Sequence, residues 1–118
     1  MVRIESSFSL EDLMAFAKET YEAFNIKNKS RKYAYYRQVA AYIATEGGYK
    51  VGEIAKSFSV SHPTILWSRD MATSRLMSKE EDFLFYYNDF VNKFNTYLNT
   101  KTSNELPTTV DEGQSVDA

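Results

Sequence analysis

Apolar residues recur at helical spacing in five stretches of the chain, and no stretch shows the strict alternation of a half-buried strand. The first stretch predicts a helix from about Leu10 to Phe24, with Leu13, Met14, Ala17, Tyr21 and Phe24 on its inner face. Ser9, followed three residues on by Asp12, supplies a capping-box start. Asn25 to Lys32 is a polar, basic connector. A second helix is predicted from about Lys32 to Glu46, with Tyr36, Val39, Ala40 and Ile43 as its stripe. Gly47-Gly48 ends it, because glycine accepts the left-handed conformation that follows many helices. A short third helix, about Lys50 to Ser57, brings Val51, Ile54, Ala55 and the adjoining Phe58 to the core. Ser59-Val60-Ser61 is a tight turn into a fourth helix that starts at Ser61 or His62. Ser61 caps that helix and Pro63 suits its first turn, where a missing N–H costs nothing. Its inner face comprises Ile65, part of Arg69, Ala72 and Leu76. Ser78 with Glu81 forms a second capping box, and Phe83, Leu84, Tyr87, Phe90, Val91, Phe94 and Leu98 follow at helical spacing. Asn99 to Ala118 is polar and net acidic, which predicts a disordered tail. The expected fold class is therefore all-α: a five-helix domain over residues 1–98, with an acidic disordered tail over 99–118.

Composition narrows the chemistry. At 118 residues the chain has the length of one domain. It contains no cysteine, which excludes disulfides, thiolate metal sites and cysteine nucleophiles, and a single histidine, His62, which excludes a multi-histidine metal centre. No apolar run is long enough to span a bilayer, and MVRIESSF lacks the apolar segment of a signal peptide, so no membrane association and a cytoplasmic setting are expected. The net charge of −2 hides a strong asymmetry: residues 27–75 carry nine basic and three acidic side chains, while the flanking segments are acidic. Such a concentration of positive charge points to an anionic partner.

The segment Val51–Arg75 combines a short helix, a turn of about three residues and a second helix opened by Ser61-His62-Pro63-Thr64. That is a helix-turn-helix layout, in which the amino end of the second helix enters the major groove of a duplex. Free N–H groups and partial positive charge at that end favour phosphate. A plain helical hairpin within a bundle is the alternative that spacing alone leaves open.

From Ala17 to Phe94, about two-thirds of the chain, the sequence resembles the C-terminal duplex-DNA-binding domain of the bacterial replication initiator DnaA. AKETYEAFNIKNKSRKYAYYRQVAAYIATE is similar to that family's first helix, basic loop and second helix, with Arg37-Gln38-Val39-Ala40 on its R-Q-[IM]-A. KVGEIAKSF is similar to its S-L-x-E-I-G-x-x-F, and SHPTILWS to its signature D-H-[TS]-T-V-x-[HY]-A. EEDFLFYYNDFVNKF stands where the family has its last helix. The resemblance implies double-stranded DNA as partner. It implies that His62 and Thr64 contact bases and phosphates, with Ser61, Pro63 and Trp67 beside them. It further implies that Lys50 touches a backbone phosphate, and that Lys29, Arg31, Lys32 and Arg37 within a basic loop over 27–37 grip the backbone and reach the minor groove, with Tyr35 at that loop's groove-facing position. The sequence departs from the family at several of these places. Ser61 replaces the signature Asp, Pro63 its first Thr, and Trp67 a His or Tyr. Tyr35 stands for an Arg, and Asp70 lies near a basic position. The turn is one residue shorter. These changes favour duplex binding over recognition of the family's own box, and leave open a different target sequence or weak sequence preference. The glycines form no phosphate-cradling G-x-x-x-x-G-K-[ST], so the resemblance extends to a reader domain in replication or transcription control and not to an ATPase.

Other groups admit blander readings. Tyr33, Tyr35 and Tyr36 suggest a nucleophile or a stacking platform, but without an accompanying arginine and histidine cluster they read as packing at a helix start, Tyr35 alone being kept as a DNA contact. Glu80, Glu81 and Asp82 sit in a first helical turn, where carboxylates suit the dipole. No nucleophile–base pair or metal cluster is visible, so binding without catalysis or cofactor is the expectation. The second function held open is a helix-turn-helix scaffold used as a protein-interaction or structural module. The acidic tail would dock a protein partner or fold back on the basic loop. The expected state is a monomer or a weak homo-oligomer joined through the first and last helices.

Overall fold

The computed structural model of the chain describes residues 2–21 and 31–105. Among them are five α-helices and no strand: α1 Leu10–Thr20, α2 Arg31–Glu46, α3 Val51–Phe58, α4 His62–Met77 and α5 Glu81–Glu105. The all-α, five-helix expectation holds, and each helix lies where its apolar stripe predicts. Two boundaries differ. Helix α5 continues seven residues past the predicted domain boundary at 98/99, so the tail does not begin at Asn99. Residues 106–118 lie outside the described residues. Helix α1 ends at Thr20, with Tyr21 as its C-cap; Phe24, expected within it, also lies outside the described residues.

Helix ends follow local chemistry. Ser9 Oγ accepts from the Asp12 N–H at 3.0 Å and caps α1. After α2, the Gly48 N–H donates to Thr45 and the Tyr49 N–H to Ala44, with Gly48 at φ 92°, a left-handed stop that glycine adopts without strain. The ends of α3 and α4 use the same turn without glycine, at Ser59 (φ 59°) and Lys79 (φ 55°). The second of these overturns the capping box expected at Ser78 and Glu81. Ser78 is instead the C-cap of α4, and Glu80 takes the position before α5, its carbonyl accepting from the Leu84 N–H.

Helix α2 lies at the centre and packs chiefly on α4 and α5. Its predicted stripe is buried, but so are Tyr35, Gln38, Ala41 and Ala44. On α5, Phe83, Tyr87, Phe90, Val91, Phe94 and Leu98 are buried as predicted. Phe16 of α1, off the predicted stripe, is only 2% exposed, with ring centroids 5.2 Å from Phe90 and 5.0 Å from Phe94. Full burial of a side chain of that size contributes about 1.5–3 kcal/mol.

Asp89 of α5 ties α1 and α2 together. Its Oδ2 accepts from the Tyr21 hydroxyl at 2.7 Å and the Tyr36 hydroxyl at 3.1 Å, and Lys93 Nζ lies 3.2 Å from its Oδ1. The Tyr21 and Tyr36 rings stack at 3.9 Å. Burial first, then Asp89, push both phenols well above their ordinary range. Burial alone would raise the Asp89 carboxyl, but hydrogen bonds from Tyr21, Lys93 and Tyr36 outweigh it and hold its pKa below the ordinary value.

The segment ahead of α1 is a strap without backbone pairing among the described residues. Side chains pin it: Tyr87 donates to the Val2 carbonyl at 3.0 Å, Asn95 to the Arg3 carbonyl at 2.9 Å, and Tyr49 to the Phe8 carbonyl. The Glu5 N–H donates to Asn95 Oδ1 at 3.0 Å. The Phe8 ring lies so close to Gly47 that a Cβ there would stand 2.8 Å from it.

Because the Asp89 carboxyl is depressed in the folded state, its contribution is complete above its unfolded pKa, roughly 3.9, and disappears as pH falls through the lower folded value. Urea unfolding of Asp89→Asn at neutral pH is expected to show a loss of about 1–3 kcal/mol. The variant's stability should also decline less steeply than the wild type's on acidification, with Asp12, likewise depressed by Lys101, supplying the remainder.

Candidate nucleic-acid interface

Helices α3 and α4 are joined by Ser59, Val60 and Ser61, the three-residue turn expected. Ser61 opens α4: its Oγ accepts from the Thr64 N–H at 3.4 Å and lies 2.9 Å from Thr64 Oγ1. Pro63 sits in the first turn, where it displaces no helical hydrogen bond. One side of α4 is buried through Ile65, Ser68 and Ala72, at the i, i+3, i+7 spacing of a packed face. The other side is open. Ser61, His62, Pro63, Thr64 and Trp67 are all exposed, and so are Leu66, Asp70, Thr73, Ser74 and Met77 further along.

The first turn of α3 lies against this open end. A Cβ on Gly52 would stand 3.4 Å from the His62 ring. Lys50, the residue preceding α3, is exposed two positions earlier, its N–H donating to Glu53 Oε1 at 3.0 Å. The structure thus gathers Lys50, Ser61, His62, Pro63 and Thr64 at one end of the helix pair.

The described cations of the predicted loop lie on α2. Arg31 and Lys32 are exposed in the first turn of α2, and Arg37 is half-buried, its pKa lowered by that burial. Lys29 lies outside the described residues. Arg75, near the far end of α4, reaches the first half of α2: its Nε donates to Gln38 Oε1 at 3.2 Å and its Nη1 to the Tyr35 hydroxyl at 3.4 Å. Thirteen residues of helix separate His62 from Arg75, about 20 Å of rise. The first half of α2 therefore flanks the carboxyl half of α4.

Tyr35 corrects the sequence reading. It is 7% exposed, its ring edge-on to Phe83 at 5.4 Å and covered by the Arg75 guanidinium at 4.8 Å. It belongs to the core rather than to a surface that meets DNA, because its ring fills the junction of α2, α4 and α5. Arg75 completes that junction with an ion pair to Glu80 at 2.8 Å. The sequence offers no periodic signal for this network, since its members are spread over three helices. The Arg69 guanidinium, by contrast, pairs with its neighbour Asp70 on the surface, at 2.9 Å.

Trp67 is 56% exposed in the middle of the open face, with Leu66 at 38% and Met77 at 79%. Among the described residues no three His, Cys, Asp or Glu side chains form a group able to hold a metal ion, and no helix is long and apolar enough to cross a membrane. Comparison of the chain with protein-family models, with curated proteins and with solved structures finds no match.

Removing Arg75 leaves Gln38 and Tyr35 short of a donor in a largely buried site. Arg75→Ala is expected to lower the unfolding free energy by about 1–3 kcal/mol, whereas Arg69→Ala should change it by less than about 1 kcal/mol. Chemical denaturation of the two variants side by side checks the contrast.

Proposed function

We propose that the chain binds duplex DNA through the α3–α4 pair, with the amino end of α4 entering the major groove. The observation that carries this reading is the open amino end of α4: Ser61, His62, Pro63 and Thr64 are exposed on a helix whose opposite face is fixed by Ile65, Ser68 and Ala72. Thr64 offers a methyl to thymine and a hydroxyl to phosphate, and Lys50 stands beside it as a phosphate contact. Charge supports the reading, since eight basic and three acidic residues fall between Arg31 and Lys79. The likeness of SHPTILWS and RQVA to the motifs of the DnaA DNA-binding domain supports it as well. Arg31 and Lys32, exposed in the first turn of α2, would meet the phosphate backbone rather than base edges. In this role the protein is a small replication or transcription regulator that acts by binding, without catalysis.

A second reading has an observation of its own. Leu66, Trp67 and Met77 share the open face of α4 with Asp70, a mixture of apolar bulk and negative charge suited to a protein surface. Fluorescence anisotropy with a random duplex, titrated with salt, separates the two. DNA binding should weaken steeply as salt rises, and the joint change of Arg31 and Lys32 to Ala should reduce the slope of log K against log salt by about two. Thr64→Ala should cost about 1–3 kcal/mol on a site selected from a random pool, and little on unselected duplex. Absence of binding at low salt would leave the protein-interaction reading.

A further inference from the structure

The strap ahead of α1 does not lie flat on the bundle. Between it and the carboxyl end of α2 is a cavity of about 690 Å³, within the range of small-molecule sites. Four aromatic rings line it: Phe8 from the strap, Tyr42 from α2, Tyr49 from the α2–α3 turn and Tyr87 from α5. Phe8 and Tyr49 stand 5.9 Å apart, and Tyr42 and Tyr87 meet edge-to-face at 6.1 Å. Charge enters from both walls, with Arg3 and Glu5 on the strap and Glu46 at the end of α2. Among the described residues, neither the Arg3 guanidinium nor the Glu46 carboxylate forms a side-chain hydrogen bond or ion pair. Both nonetheless act on the same two phenols. Burial and then Glu46 raise Tyr42, burial and then Tyr42, with Glu46 last, raise Tyr87, and Arg3 opposes both shifts.

We infer that this cavity is a binding site for a small organic cation, an amine or quaternary ammonium compound with a flat apolar body. Two carboxylates against one guanidinium leave the walls net negative, which disfavours an anion. Aromatic faces attract an ammonium group within about 6 Å, and Glu46 supplies its counter-charge. A wholly apolar guest would strip water from Glu46 and Arg3 and return no polar contact. The strap suits such a site because its carbonyls are held at Val2, Arg3 and Phe8, while Ser6 and Ser7 between the pins line the opening. The site is independent of DNA binding, since none of its lining residues belongs to the open end of α4.

Benzyltrimethylammonium, benzoate and benzyl alcohol, titrated separately into the full isotope-labelled chain, provide the test by amide chemical shifts. Saturable shifts at Gly47, Tyr49 and the strap are expected with the ammonium, with benzoate weaker by at least about tenfold. Glu46 is exposed, so Glu46→Gln should leave thermal unfolding unchanged and weaken the ammonium by about tenfold. Equal or tighter binding of benzoate, no saturable shift with any of the three, or full affinity in Glu46→Gln would overturn the inference.

Discussion

Between Tyr33 and Thr45 no residue of α2 is exposed, and everything else in the fold follows from enclosing that helix. An isolated helix of this composition would leave Tyr36, Val39, Ala40, Ile43 and their neighbours in water, and helices of this length draw most of their stability from packing. Neighbours must therefore cover it from several directions. Helix α5 brings a continuous aromatic edge, and α4 brings Ile65, Ser68 and Ala72. Helices α1 and α3 fill the remaining sides. Since α4 spends one face on α2, its other face is left to solvent, and that division produces the open amino end at His62.

Burying a helix on nearly every side brings polar groups inside with it. Gln38, Tyr35 and Tyr36 all carry atoms that need partners. The molecule answers with two charged side chains from other helices, Arg75 from α4 and Asp89 from α5. Each bridges elements distant in sequence, so each constrains how the helices are set against one another as well as how tightly they pack.

The helices themselves were legible because apolar periodicity and capping chemistry agreed with the final packing. Ser9, Ser61 and Pro63 mark their helices as the residue types dictate, and Gly48 closes α2. Periodicity misled where a helix is enclosed instead of half-exposed: Tyr35 and Phe16 lie off the single stripe that a surface helix would show, and both are core. The Ser78 box failed for a different reason. A left-handed Lys79 allows α4 to run to Met77 and moves the start of α5 to Glu81, and nothing in a lysine announces that conformation. The tail was misread at its root because Asn99 to Glu105 lacks large apolar groups, yet these residues extend a long helix already anchored by Phe94 and Leu98. Of the candidate interface, the start of α4 was legible from the residue types of Ser61 and Pro63, whereas Lys50 was singled out only by the resemblance.

Arg75 fixes a length as well as a contact. By gripping Gln38, Tyr35 and Glu80 together, it prevents α4 from sliding or pivoting against α2 without breaking several bonds in one step. The seating of α4 on the first half of α2 is thereby set as on a caliper with its screw tightened. Variants near Arg75 would therefore loosen the seating of α4 on α2, like a slackened screw, without touching the open amino end at His62.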